Sequence, residues 1–249
     1  MSRFAEKFQF LNANTIKVIA LVIMTAGHLG YFFFPDVLII RDLGRIVFPL
    51  FAFFIAEGCY HTHSQGRYLL IMAADALAYQ LAFYLLTGSL WMCVLVTFCF
   101  SLIMIFSLKR AADDGSFKNI AVCAAVILAV WFVCEGLPDL MPGSGFGVDY
   151  GFYGAALPAV FYAPRLVFKK LFRNDDEALC RLCMVCAGAI WMIPLSLSME
   201  PYQWWCLLSV PVLLLYNGKR GRANLKYFFY ISKIRFDNFI KQIIIYKLI

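Results

Sequence analysis

One of the three histidines in this chain, His28, stands inside an apolar run from Ile16 to Phe34 that is long enough to cross a bilayer. An ionisable side chain at that depth is expensive to leave unpaired, so it marks a functional site by default. An imidazole can take up a proton near neutral pH, which suits abstraction from an amine or a hydroxyl. The alternative is a histidine that hydrogen-bonds a neighbouring helix and only fixes packing. Lys17 precedes it by eleven residues, about 16 Å along a helix, which is too far for a direct pair.

Few other ionisable groups interrupt the apolar stretches: Arg45, Glu57 and Asp75. Arg45 opens the run GRIVFPLFAFFIAEG, and Pro49 four residues later should bend the helix or end its first turn. The guanidinium fork suits phosphate or carboxylate. The same residue also reads as a cation snorkelling to the interface. Glu57, near the far end of that helix, should pair with a base rather than act as one. His61 and His63 follow it at i and i+2, a spacing that does not share one helical face, so they are either a metal pair or solvated loop histidines. Asp149 precedes GFYGAA and is placed either to cap the next helix or to orient His28 or an acceptor amine. Cys180, Cys183 and Cys186 recur every third residue, but no fourth ligand or polar surround accompanies them, so no metal is expected.

These groups must be carried by membrane helices. The chain has 249 residues, 63% hydrophobic and only 15% charged, with a mean hydropathy of +0.77. That composition excludes an ordinary soluble domain. About eight apolar segments (seven to nine) follow, at 16–34, 44–60, 68–86, 91–108, 118–134, 151–168, 179–197 and 203–217. The expected fold is an all-α polytopic transmembrane bundle, a single membrane-embedded domain over residues 1–249. The net charge of +7 falls in short patches between spans, so it reads as topology and not as a nucleic-acid surface. Basic residues cluster before the first span, before the third, and around 109–118, 165–181 and 219–226, whereas 87–90, 135–150 and 198–202 carry none. The first loop, with Arg41, departs from the alternation. The N-terminus is therefore expected in the cytoplasm, with Lys17 near the inner face and His28 in the outer half of the bilayer.

The runs TIKVIALVIMTAGHLGYFFFP, GRIVFPLFAFFIAEGCYHT and DYGFYGAA together resemble the TraX family, whose founding activity is N-acetylation of conjugative pilin at its amino terminus. The spacing from Lys17 to His28 is also similar to a pattern of the broader membrane acyltransferase superfamily. The resemblance implies an inner-membrane acyltransferase that takes acetyl-CoA from the cytoplasm. His28 would be the catalytic histidine, Lys17 a donor-side contact, and Arg45 and Glu57 parts of the site, with Arg45 assigned to the cofactor. His61 and Asp149 match positions in the family blocks without an assigned step.

The chain departs from the family at two places. Gly27 stands where an acid usually precedes the histidine, so a carboxylate orienting His28 must come from elsewhere. The tail, about 225–249, is broken by Lys233, Arg235, Lys241 and Lys247 and is expected either as an amphipathic helix on the inner surface or as an atypical terminal helix altered relative to the family. The implied partners are a pilin-like protein or another envelope acceptor and the lipid bilayer, in pilus assembly and conjugation. The readings that compete with acyl transfer are a small proton-coupled transporter and a non-enzymatic envelope assembly factor.

Overall fold

A computed structural model of the chain describes residues 9–33, 37–171 and 176–221. The tail expected at the inner surface lies outside the described residues. The first helix, α1 (Ala13–Phe33), leads to a short α2 (Leu38–Leu43), a 3₁₀ turn at Gly44–Ile46, and α3 (Val47–His61). Then come α4 (Gln65–Thr87), a two-residue strand β1 (Trp91–Met92), α5 (Val94–Asp114) and α6 (Phe117–Trp131). A π turn at Phe132–Gly136 runs into α7 (Leu137–Leu140), followed by β2 (Gly147–Val148), α8 (Gly151–Leu171) and α9 (Glu177–Leu197). A 3₁₀ helix at Pro201–Leu208 and α10 (Ser209–Leu214) complete the described fold.

Five of these helices are long and apolar enough to cross a membrane: α1, α4, α5, the α6–α7 segment and α9. The other three expected spans have a different form. The 44–60 segment winds tightly at first, because Pro49 has no N–H for the Arg45 carbonyl and its ring crowds it. The helix after the turn is only fifteen residues long. α8 carries Pro158, Pro164 and Arg165 within it. The 203–217 stretch is divided between the 3₁₀ helix and α10.

α3 is the axis of the bundle. Eleven of its fifteen residues are buried, and it packs against α1, α5 and α8. Phe53 is fully buried at its middle, edge-on to Phe54, Phe161 and Tyr216. Between helices surrounded by lipid, close packing and hydrogen bonds do the holding. Ser101 Oγ donates to the Ala155 carbonyl at 2.7 Å, Thr97 Oγ1 to the Asp149 carbonyl at 2.6 Å, and Trp191 Nε1 to the Tyr153 carbonyl at 2.9 Å. These bonds tie α8 to α5 and α9. By contrast α4 is almost unburied and presents Leu70, Leu77, Leu81 and Leu85 outward, as a lipid-facing helix would.

The loops gather as the charge pattern required. β1 pairs in parallel with β2, Trp91 with Gly147 and Met92 with Val148, so the 88–93 and 141–149 loops meet at one end. The basic connections lie at the other, where Lys169 Nζ bonds Asp113 Oδ1 across the 109–118 and 165–181 loops at 2.9 Å. There the chain after α10 pairs with the start of α1, through Leu11 N to the Leu215 carbonyl and Ala13 N to the Lys219 carbonyl.

A testable consequence lies at Gly188 on α9, where a Cβ would fall inside the Phe161 ring. Gly188→Ala should destabilise the fold by about 1–3 kcal/mol, read as a lower midpoint in reversible denaturation in detergent.

Candidate functional site

The ionisable groups collect at two levels of the bundle. At the end where α3 stops, Glu57 and Arg165 are each 5% exposed and face one another. Arg165 donates from Nε to Glu57 Oε1 at 3.1 Å and from Nη2 to the same oxygen. Its Nη1 donates to Glu177 Oε2 at 3.1 Å, and its guanidinium lies 4.0 Å from the Tyr60 ring centre. His61 Nε2 is 3.8 Å from the other Glu57 oxygen, and Arg181 Nη1 is 3.8 Å from Glu177. Glu57 thus pairs with a base, as its position on the helix predicted. Arg165 is the residue missed from sequence. Its closeness to Lys169 and Lys170 makes it read as a loop charge, although it falls inside the apolar 151–168 segment, and that placement is the available signal.

Lys17 stands at this same end. Its ammonium lies 5.1 Å from the Phe54 ring centre, and Arg220 is near enough to act on it electrostatically. Arg181 also belongs here, since a Cβ on Gly218 would meet its Nη1 at 2.5 Å. Two turns of chain therefore bring Lys17, Arg181, Lys219 and Arg220 to one rim.

At the opposite end, α1 meets the Gly44–Ile46 turn so closely that the Gly27 Cα lies 4.0 Å from where a Cβ on Gly44 would stand. Gly27 is buried in this contact. An acidic side chain before His28 would have to fit into that interface, which gives the departure at position 27 a steric reason. His28 itself is exposed, and its Nδ1 lies 2.8 Å from the Met24 carbonyl oxygen. A carbonyl only accepts, so Nδ1 carries the hydrogen and the lone pair of the neutral ring is at Nε2.

Arg45, one residue beyond the Gly44 contact, is sandwiched between aromatic rings, 4.7 Å from the centre of Tyr202 and 5.9 Å from that of Tyr150. Tyr150 adopts a φ of +63°, which is unusual for a residue with a side chain, and stacks on Phe48 at 3.8 Å. Gly151 follows at +54°. This left-handed pair turns the chain sharply into α8. The cap of that helix is not Asp149: the Phe152 N–H donates to Glu135 Oε1 at 2.7 Å, from the π turn after α6. Sequence spacing could not find it, because the two residues are seventeen apart and joined only by the fold. Asp149 is left beside Arg45. Burial pushes its carboxyl up to about 6, against the pull of Arg45 and the Tyr150 N–H.

The two residues assigned to the acyl donor therefore stand apart, Lys17 at one end and Arg45 at the other. Arg45 joins Asp149, while Glu57 joins His61. Among the described residues no three metal-ligating side chains come together, and Cys180, Cys183 and Cys186 are free thiols.

Both ends fall within one stretch of family likeness: the model of the family described as "TraX protein" matches residues 12–232. The chain belongs to the TraX family. It is also 36% identical over 47 residues to the uncharacterized protein RP591 of Rickettsia prowazekii (strain Madrid E), a stretch covering 19% of each chain. No solved structure matches. With its five apolar helices, this TraX-family chain is a membrane protein.

The buried ion pair gives a prediction about stability. Arg165→Met should destabilise the protein by about 3–5 kcal/mol, because Glu57 then stays buried without its main partner, whereas Glu57→Leu combined with Arg165→Met should recover most of the loss. Denaturation midpoints of the three proteins in one detergent decide it.

A second prediction concerns pH. Asp149 holds its proton longer in the folded than in the unfolded protein, so its contribution to stability is fully present below about pH 4 and is lost as pH rises through about 6. Arg45, Tyr150 and Cys93 are the ionisable groups that sense it. Asp149→Asn should therefore gain stability relative to wild type as pH rises from 4 to 7, by about 2 kcal/mol. A constant difference across that range would refute it.

Proposed function

We propose that this TraX-family protein is an integral membrane acyltransferase, moving an acetyl group from acetyl-CoA to the amino terminus of a pilin-like protein or to another envelope acceptor. The observation that carries this reading is the His28 tautomer. The Met24 carbonyl holds the hydrogen on Nδ1, so the basic nitrogen is Nε2, on an imidazole set in a membrane helix.

In this reading the basic rim of Lys17, Arg181, Lys219 and Arg220 faces the cytoplasm and receives the phosphates of the donor. The protein lies in the inner membrane with its N-terminus inside, and the 44–60, 151–168 and 203–217 segments complete about eight spans. His28 Nε2 takes a proton from the acceptor amine as its nitrogen bonds the acetyl carbon. The thioester C–S bond then breaks, and the proton passes to the departing thiolate. The same nitrogen could instead carry the acetyl group briefly; both routes need Nε2. Apolar surroundings exclude water and spare the thioester from hydrolysis.

Full-length protein in vesicles, supplied with labelled acetyl-CoA and membrane extract, tests the proposal. Label should pass to an envelope acceptor, and His28→Ala should lower the rate by about 100-fold or more while inserting and melting as wild type does. Transfer at the wild-type rate by that variant would sink the mechanism.

A further inference from the structure

The Arg45 end holds a polar group that the proposed chemistry leaves unused. Gln203, next to Tyr202 in the 3₁₀ helix, is 0% exposed, and neither its Oε1 nor its Nε2 makes a well-formed hydrogen bond. Its amide lies beside the Cys206 thiol, a weak partner, and that thiol in turn acts on Tyr150. A buried amide with both atoms unmet is costly, and such exceptions call for a ligand or a strained function.

Two opposite charges stand at the same end, Arg45 over the Tyr202 ring and Asp149 within its electrostatic reach. Arg45 and Asp149 influence one another but do not close into an ion pair among the described residues. A simple anion here would meet Asp149, and a simple cation would meet Arg45. The complementary ligand has a basic nitrogen followed closely by a carbonyl oxygen and an amide. Tyr150, in its left-handed conformation, holds the turn that presents Asp149, and strain of this kind is kept where surrounding structure needs it.

We propose that Arg45, Asp149, Tyr202 and Gln203 form the acceptor-positioning site, with Asp149 taking the free amino group and Gln203 and Arg45 taking the first peptide group. Gln203 offers that peptide group both a donor and an acceptor. Arg45 disfavours the ammonium form beside it, leaving more of the amine neutral and nucleophilic. The contact of Gly27 with Gly44 sets this cluster and His28 at one level of the bundle. The inference rests on the acyltransfer reading for its purpose, but the binding it predicts can be measured without any acyl donor.

The test uses full-length protein in lipid nanodiscs and three probes: tri-alanine with a free amino terminus, N-acetyl-tri-alanine, and lactose. Tri-alanine should bind saturably, its acetylated form at least tenfold more weakly, and lactose not at all. Asp149→Asn, nearly isosteric, should abolish the preference for the free amine, and Gln203→Leu should weaken tri-alanine binding at least fivefold, each with its melting checked. Equal binding of the two peptides, binding of lactose in their place, or wild-type affinity in Asp149→Asn would each overturn the site. Selective tri-alanine binding in a protein that transfers no acetyl group would uphold the site and remove the acyltransfer reading instead.

Discussion

A salt bridge almost closed off from solvent, Glu57 with Arg165, fixes how the two central helices of this bundle lie. In an apolar surround neither charge is tolerable alone, and the two attract strongly only when they meet. α3 and α8 must therefore be neighbours running in the same direction, with these residues level near the C-terminal end of each. Once that register is set, Phe53 faces Phe161 at mid-depth. At the far end Phe48 then stacks on Tyr150, and Arg45 comes within reach of the same ring. One electrostatic constraint at the basic end thereby positions the aromatic and polar cluster at the other.

The remaining helices add to this axis with small residues and short hydrogen bonds. Ser101 and Thr97 on α5 reach main-chain carbonyls near the start of α8, and Gly188 lets α9 come down onto Phe161. Glu135 reaches across from the π turn to cap α8, so a local irregularity of one helix is used to start another. The chain beyond α10 then lies against the start of α1 and carries Arg220 to Lys17.

The charge pattern makes the loop arrangement and the burial of Glu57 with a base legible in the sequence, because lipid admits few ways to place an ionised group. Three features were not legible. Arg165 sat in an apolar stretch whose end is rich in lysine, so proximity to Lys169 and Lys170 disguised a buried residue as a loop charge. The division of 203–217 into a 3₁₀ helix and a short α10 depends on packing against the Gly44–Ile46 turn, a contact between residues more than 150 apart. The partners of Asp149 were hidden for a similar reason. An aspartate before a helix resembles a cap, and only the fold reveals that Glu135 already fills that role.

Between the two polar levels the interior of the axis is lined by apolar side chains. From Arg45 to Glu57 is twelve residues, about 18 Å of chain, and the core along it is built from Phe48, Leu50, Phe53, Phe161 and Leu157. A proton relay across the membrane needs titratable groups or water at hydrogen-bond spacing. Among the described residues of α3 and α8, the titratable groups between those levels are Tyr153 and Tyr162, nine residues or about 13 Å of helix apart and too far for a hydrogen-bonded relay, and Asp75 belongs to the peripheral α4. The buried hydroxyls of Thr97 and Ser101 are already donating to carbonyls at the Arg45 end. Such layering argues against ion movement along the axis. It is compatible with a reaction in which charged portions of two substrates stay at opposite ends and only an uncharged acyl chain enters the apolar layer.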